Sequence, residues 1–166
     1  CETELFCIFN ADGSFEKNEL NQMVKLCKAN EFVFTSRYLK NAGSEDDTIV
    51  TYIGNKIFSF IGRLLFSLNI NDILYTYVMG KTEYFNQLNL KSNDFRLCVE
   101  FPIKMQLSNM KYTSISSYEK KRLGGEKKVN AFRDGFLILV EMLSLFFRYK
   151  IFRKKIIQTQ INKNIK

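Results

Sequence analysis

The apolar run Phe6-Cys7-Ile8-Phe9 stops abruptly at Asn10-Ala11-Asp12-Gly13-Ser14, and the spacing of apolar residues then changes. Such a run, ended by small and polar turn residues, predicts a buried strand leaving its sheet. Leu20, Met23, Val24 and Cys27 follow at helical spacing. Ser14 is placed to cap that helix, Glu16 and Glu19 lie near the positive end of its dipole, and Lys28 and Asn30 close it. Glu31 to Tyr38 predicts a second strand, giving a strand, helix, strand unit of the kind found in parallel sheets. Arg37 falls at that strand's exit, near Asp12.

Lys40 to Asp47, with Gly43, Ser44 and three consecutive acids, predicts a loop, and Thr48 to Leu68 a long amphipathic helix. Ile49, Ile53, Ile57, Phe60, Ile61, Leu64 and Leu65 share one side of it, and Thr51, Asn55, Ser59 and Arg63 the other. Two readings stand for this helix. It packs its apolar side on the sheet, or it lies at a membrane surface with Lys56 and Arg63 at the head groups. Asn69 to Asp72 breaks the helix, and Ile73 to Met79 is β-prone and ends at Gly80. Short helices are expected at Thr82 to Leu88 and at Asn93 to Met105, the second with Pro102 anomalously inside it. Lys111 to Ile115 suggests a further strand. The basic stretch Ser117 to Lys128 carries Gly124 and Gly125, which let the backbone approach an anion closely. The last regular element runs from about Val129 to Tyr149, with Phe132, Phe136, Leu139, Val140, Leu143, Phe146 and Phe147 on one side. It reads either as a core helix or, with the basic cluster Lys150 to Lys155, as an interfacial anchor on an anionic bilayer. Gln158 to Lys166 is expected to be disordered.

Composition narrows the chemistry. The chain has 166 residues and no histidine, which removes Ser-His-Asp and Cys-His catalysis and the usual zinc sites. Four cysteines stand far apart without a Cys-x-x-Cys pair, as buried free thiols in a reducing compartment would. No window offers about eighteen uninterrupted apolar residues, so no transmembrane helix of the ordinary kind is expected, and no secretory signal opens the chain. Residue 1 is Cys, and the first strand arrives almost at once, as in part of a longer chain. The net charge of +8 is uneven: from Lys111 onward fourteen Lys and Arg face four Asp and Glu. That end needs an anionic partner, and phosphorylated substrate, anionic lipid and nucleic acid all qualify. A basic peripheral binding module for nucleic acid or anionic membrane, without catalysis, is the rival to an enzyme, although no clear nucleic-acid-binding signature is present.

Asn10-Ala11-Asp12-Gly13 is either an ordinary turn or a ligand site at a strand end, where Asp12 would be a hard oxygen ligand for Mg²⁺ or Mn²⁺ on a phosphate. The order of features favours the second. Asn10-Ala11-Asp12-Gly13-Ser14, Ser36-Arg37-Tyr38, Gly43-Ser44-Glu45-Asp46-Asp47-Thr48, Asp72 to Gly80, Asp94 to Lys104 and Arg122 to Lys128 together resemble glycosyltransferase family 2, in particular its polyprenol-phosphate mannosyltransferase branch. The match spans roughly Phe6 to Arg148.

The resemblance implies an α/β fold: a partial GT-A (Rossmann-like) mixed sheet flanked by helices, with a C-terminal amphipathic helix. Residues 1–149 would be the C-terminal part of the domain and 150–166 a basic tail. It further implies transfer of a sugar from a nucleotide-sugar donor to a polyprenyl phosphate or a glycan acceptor, by a peripheral protein on the cytoplasmic face of the membrane. Asp12, with Asn10, would hold Mg²⁺ or Mn²⁺. Asp12, Ser14, Arg37 and Gly125 would contact phosphate. Arg122 and Lys128 would neutralise the leaving diphosphate. A polyprenyl phosphate is already an anion and needs no strong base, whereas a hydroxyl acceptor would need a carboxylate, for which Asp72 is the candidate. Glu100 is either an acceptor-side group or a helix-surface carboxylate. Two departures from the family pattern stand out: Asn10 replaces the first aspartate of the turn, and the nucleotide-binding half that would precede the turn is missing.

Overall fold

In a computed structural model the described residues are 2–124 and 130–152, and they form an α/β fold: a four-stranded mixed sheet with helices on both faces. The first strand, β1 (Leu5–Ile8), is followed by α1 (Glu19–Leu26), β2 (Phe32–Ser36) and the short β3 (Gly43–Ser44). Next come α2 (Ile49–Phe66), β4 (Val78–Lys81), α3 (Thr82–Gln87) and α4 (Leu97–Leu107). The last elements are β5 (Tyr112–Ser116), β6 (Tyr118–Glu119), α5 (Ala131–Leu145) and a π-helical stretch, Phe146–Phe152. The expected strand, helix, strand unit forms, but β1 and β2 are not neighbours. Strand order is β1-β4-β2-β5, with β4 inserted antiparallel to both β1 and β2, and β2 parallel to β5.

Alternation along β2 explains the layers. Phe32 and Phe34 join Phe66, Phe101, Ile103, Ile138 and Met142 on one face, under α2, α4 and α5. Val33 points the other way, into the smaller cluster of Phe15, Met23, Cys27, Tyr77 and Met79 beneath α1. Phe32 stands opposite Gly80 across the β2–β4 pair. A Cβ on Gly80 would lie 2.7 Å from Phe32 Cε1 and 2.9 Å from the Glu31 carbonyl oxygen, and Phe32 is fully buried. Gly80→Ala is therefore expected to lower stability by about 1–3 kcal/mol through overpacking. A chemical-denaturation midpoint equal to wild type would contradict this.

Two local expectations are corrected. Ser14 does not cap α1, which begins at Glu19 with Asn18 at the cap position and no side-chain cap bond; the Ser14 hydroxyl turns back to Asp12 instead. The β-prone run Ile73 to Met79 joins the sheet only at Val78, while Ile73, Tyr75 and Tyr77 are buried without a strand partner for most of that run. Pro102 lies inside α4, buried, and the helix continues through it.

The larger correction concerns α2. Thr48 caps it as a reciprocal pair with Thr51, as its position suggests. Its buried side, however, is Asn55, Ser59, Gly62 and Phe66, and the apolar stripe Ile49, Ile53, Ile57, Phe60 and Leu64 faces outward. Of the expected apolar side only Ile61 and Leu65 pack against the core, and the rest of the stripe does not. The reason lies in the buried irregular segment that follows. Ile73 N–H donates to Ser59 Oγ and Leu74 N–H to Asn55 Oδ1, both at 3.2 Å. Backbone groups buried without a ladder need partners, and the polar side of α2 supplies them. By length and composition α2 is also apolar enough to cross a membrane, which the uninterrupted-run criterion missed because polar residues are scattered through it.

Candidate functional site

Asp12 follows β1 in a turn where Gly13 takes φ 79°. Ser14 donates to Asp12 Oδ1 from its backbone N–H at 3.0 Å and from its hydroxyl at 2.7 Å, which fixes the carboxylate. The late basic segment lies directly on this turn. Lys120 N–H donates to the Ser14 carbonyl at 2.9 Å, and Leu123 N–H to the Asp12 carbonyl at 2.8 Å. Arg122 Nη1 stands 4.0 Å from Asp12 Oδ2, while its Nε and Nη2 donate to Asp46 Oδ2 at 3.2 and 2.8 Å. Burial alone would raise the Asp12 pKa, but the Ser14 hydrogen bonds and the Arg122 charge outweigh it and hold the carboxyl below its ordinary value.

Arg37 emerges just past the end of β2 and is clamped on several sides. Its backbone N–H and Nε donate to Asp72 Oδ2 and its Nη2 to Asp72 Oδ1, each at 2.9 Å. Nη1 donates to Glu119 Oε2 at 3.0 Å, and the guanidinium lies over the Tyr75 ring, 4.5 Å from its centre. Burial disfavours the charge, yet Asp72 and then Glu119 outweigh that and raise the Arg37 pKa. Arg37 is thus already balanced by two carboxylates. Asp72 is fully buried and also accepts from Asn55. Asp72, the candidate base for a hydroxyl acceptor, faces Arg37 and Asn55 of α2 and is not among the groups that line the cavity.

Asn10, Asp12, Arg37 and Arg122 wall one cavity of about 530 Å³. Apolar groups, Phe15, Leu74, Phe95 and Ile138, line part of it, so the cavity is itself amphipathic. Asp12, Asp46, Asp47 and Glu119 outnumber Arg37 and Arg122 among the charged lining groups. Among the described residues no group of three or more Asp, Glu, Cys or His is gathered to hold a metal by itself. Asp12 and Asn10, oxygen donors on this acid-rich wall, are the residues that would hold a Mg²⁺ or Mn²⁺. Such an ion would offset the negative wall and make room for an anionic group.

Lys128 and Gly125 lie outside the described residues. Glu100 is not a helix-surface carboxylate. It is buried against Lys104, 2.7 Å away, and accepts from the backbone N–H groups of Lys91 and Ser92. Cys98 reaches the cavity, and burial pushes its thiol up to about 12. Glu119, Asn55 and Tyr75 complete the site and were not anticipated. Glu119 sits at the head of a run of cations and reads as part of it, although Ser44 Oγ and Arg37 both donate to it. No protein-family model matches this chain, and no curated protein matches it.

Proposed function

We propose that this chain forms the phosphate-side part of a glycosyl-transfer site, moving a sugar from a nucleotide-sugar donor to a polyprenyl phosphate or a cell-surface glycan precursor. The observation that carries this reading is Arg122 lying against Asp12 on one cavity, 110 positions apart in the sequence. Asp12 would hold a divalent ion, which would supply charge neutralisation to a donor diphosphate beside it. Arg122, released from Asp46 and Asp12 as the diphosphate enters, meets the negative charge that builds on the leaving group. An acceptor phosphate oxygen attacks the anomeric carbon, the bond from that carbon to the donor diphosphate breaks, and the nucleoside diphosphate departs with its electron pair. No proton need be removed from a phosphate acceptor, which suits a chain that has no histidine. Arg37 shapes the wall and does not grip phosphate.

The test is radiolabel transfer from UDP- and GDP-sugars to polyprenyl phosphate by the complete gene product. Arg122→Ala is expected to reduce transfer by about 100-fold or more, and Asp12→Ala to reduce it together with its Mn²⁺ dependence. Unchanged transfer in both variants would remove these assignments.

A further inference from the structure

Arg37 and Arg122 use the same guanidinium edge, Nε with Nη2, in two different ways. Arg37 sets it against both oxygens of Asp72, Nε on Oδ2 and Nη2 on Oδ1, each at 2.9 Å. That is the parallel fork in which a guanidinium and a carboxylate match best, and Asp72 is fully buried behind it. Arg122 instead places both nitrogens on a single oxygen, Asp46 Oδ2, at 3.2 and 2.8 Å. These two side chains are 25 % and 14 % exposed, so water reaches the pair. Ion pairs open to solvent contribute little and are easily exchanged. The Arg37 contact is permanent by this reasoning, and the Arg122 contact is replaceable.

The backbone on both sides of this contact is held. Lys120 and Leu123 are tied to the Asp12 turn, and Lys121 N–H donates to Glu45 Oε2 at 3.1 Å. On the acidic loop, the Asp46 and Asp47 N–H groups donate to Ser44 Oγ at 3.1 and 2.9 Å. Asp46, Arg122 and Gly124 all wall the cavity, and nothing lies within 4 Å of where a side chain on Gly124 would start. Leaving Asp46 therefore asks only for rotation of the Arg122 side chain, with open space beside it. We propose that Asp46 is an internal competitor for the anion site at Arg122, its carboxylate holding the guanidinium edge that an incoming diphosphate must take. This rests on the reading of Arg122 as a diphosphate contact and adds how access to it is controlled. A ligand that must first break a contact binds with an affinity lowered by the fraction of molecules in which that contact is already open. If Asp46 only positioned Arg122, removing its charge would weaken binding. As a competitor, its removal strengthens binding.

Calorimetric titration of the full chain with inorganic pyrophosphate in excess Mg²⁺ tests this, comparing wild type, Asp46→Asn, Arg122→Gln and the double variant. The pair is open to solvent, so the variants are expected to keep the wild-type circular-dichroism melt. Asp46→Asn is expected to bind pyrophosphate about 10-fold more tightly than wild type, the gain when about one molecule in ten has Arg122 open. Arg122→Gln is expected to bind more weakly, and adding Asp46→Asn to it to recover less than about 2-fold, since a contact already absent cannot be relieved. Unchanged or weaker binding by Asp46→Asn would overturn the proposal. So would a gain that persists in full in the Arg122→Gln background, which would be general relief of negative charge in the cavity. Binding by none of the four proteins would remove the diphosphate reading and the competitor with it. Weaker binding by Arg122→Gln with no gain from Asp46→Asn would remove the competitor alone.

Discussion

Asp72→Ala is expected to lower the unfolding free energy by about 3–5 kcal/mol, the cost of leaving a buried charge without its partner. The Arg37 side chain is only 11 % exposed, and when Asp72 is truncated it loses two hydrogen bonds while the Arg37 backbone N–H loses a third. Water cannot readily replace them, because Tyr75 covers the guanidinium and Asn55 occupies the far side of Asp72. Asp72→Asn keeps the shape but places an amide N–H₂ against guanidinium N–H groups, so it is expected to lose nearly as much. Arg37→Lys is expected to fare little better, since one ammonium cannot span Asp72 and Glu119 as the planar fork does. Urea unfolding of the three variants gives the values. Because Asp72 and Arg37 belong to one network, their double variant should lose less than the sum by about 1 kcal/mol or more. Losses below about 1 kcal/mol in the single variants would mean that the clamp is solvated and that Asp72 is free for other work.

That clamp also marks where sequence reading stops. The strand leading to Asp12, the strand leading to Arg37 and both long helices follow from periodicity and turn residues, and the α/β class follows from their order. The place of β4 does not. A run of alternating β-prone residues tells that a strand forms, but nothing in Ile73 to Gly80 says that it enters antiparallel between β1 and β2. The orientation of α2 misleads for a more instructive reason. Polar residues on a helix ordinarily face water, and here they face inward because the chain after the helix is irregular and buried, with N–H groups at Ile73 and Leu74 to satisfy. The site is legible in part for the same kind of reason. Asp12 and Arg122 are charged residues on turns, which propensity can locate, and the structure brings them together. Asp72, Asn55 and Glu119 act through contacts across the fold, and Glu119 is hidden by the sign of its neighbours.

Glu100 shows the same interior logic in a form that pH can read. Burial alone would raise its carboxyl, but Lys104 and the N–H groups of Ser92 and Lys91 outweigh burial and hold it down to about 2, against an ordinary value of 4.5. A carboxyl whose folded pKa is depressed stabilises the fold in full above its unfolded value, and that stabilisation fades as pH falls through the folded value. The window is therefore pH 4.5 down to about 2. Glu100→Gln is expected to cost about 3–5 kcal/mol at pH 7, because Lys104 stays buried without its opposite charge, facing only neutral oxygens such as the Asn89 carbonyl. The same substitution should flatten the acid limb of the stability curve, so that the gap between wild type and variant narrows steadily from pH 4.5 toward pH 2. Urea midpoints across that range measure the gap, and amide exchange at Lys91 and Ser92 should rise in the variant, since both N–H groups lose a charged acceptor. A gap that stays constant down the acid limb would show that Glu100 titrates as it does in the unfolded chain, and that its contacts act through shape and not through charge.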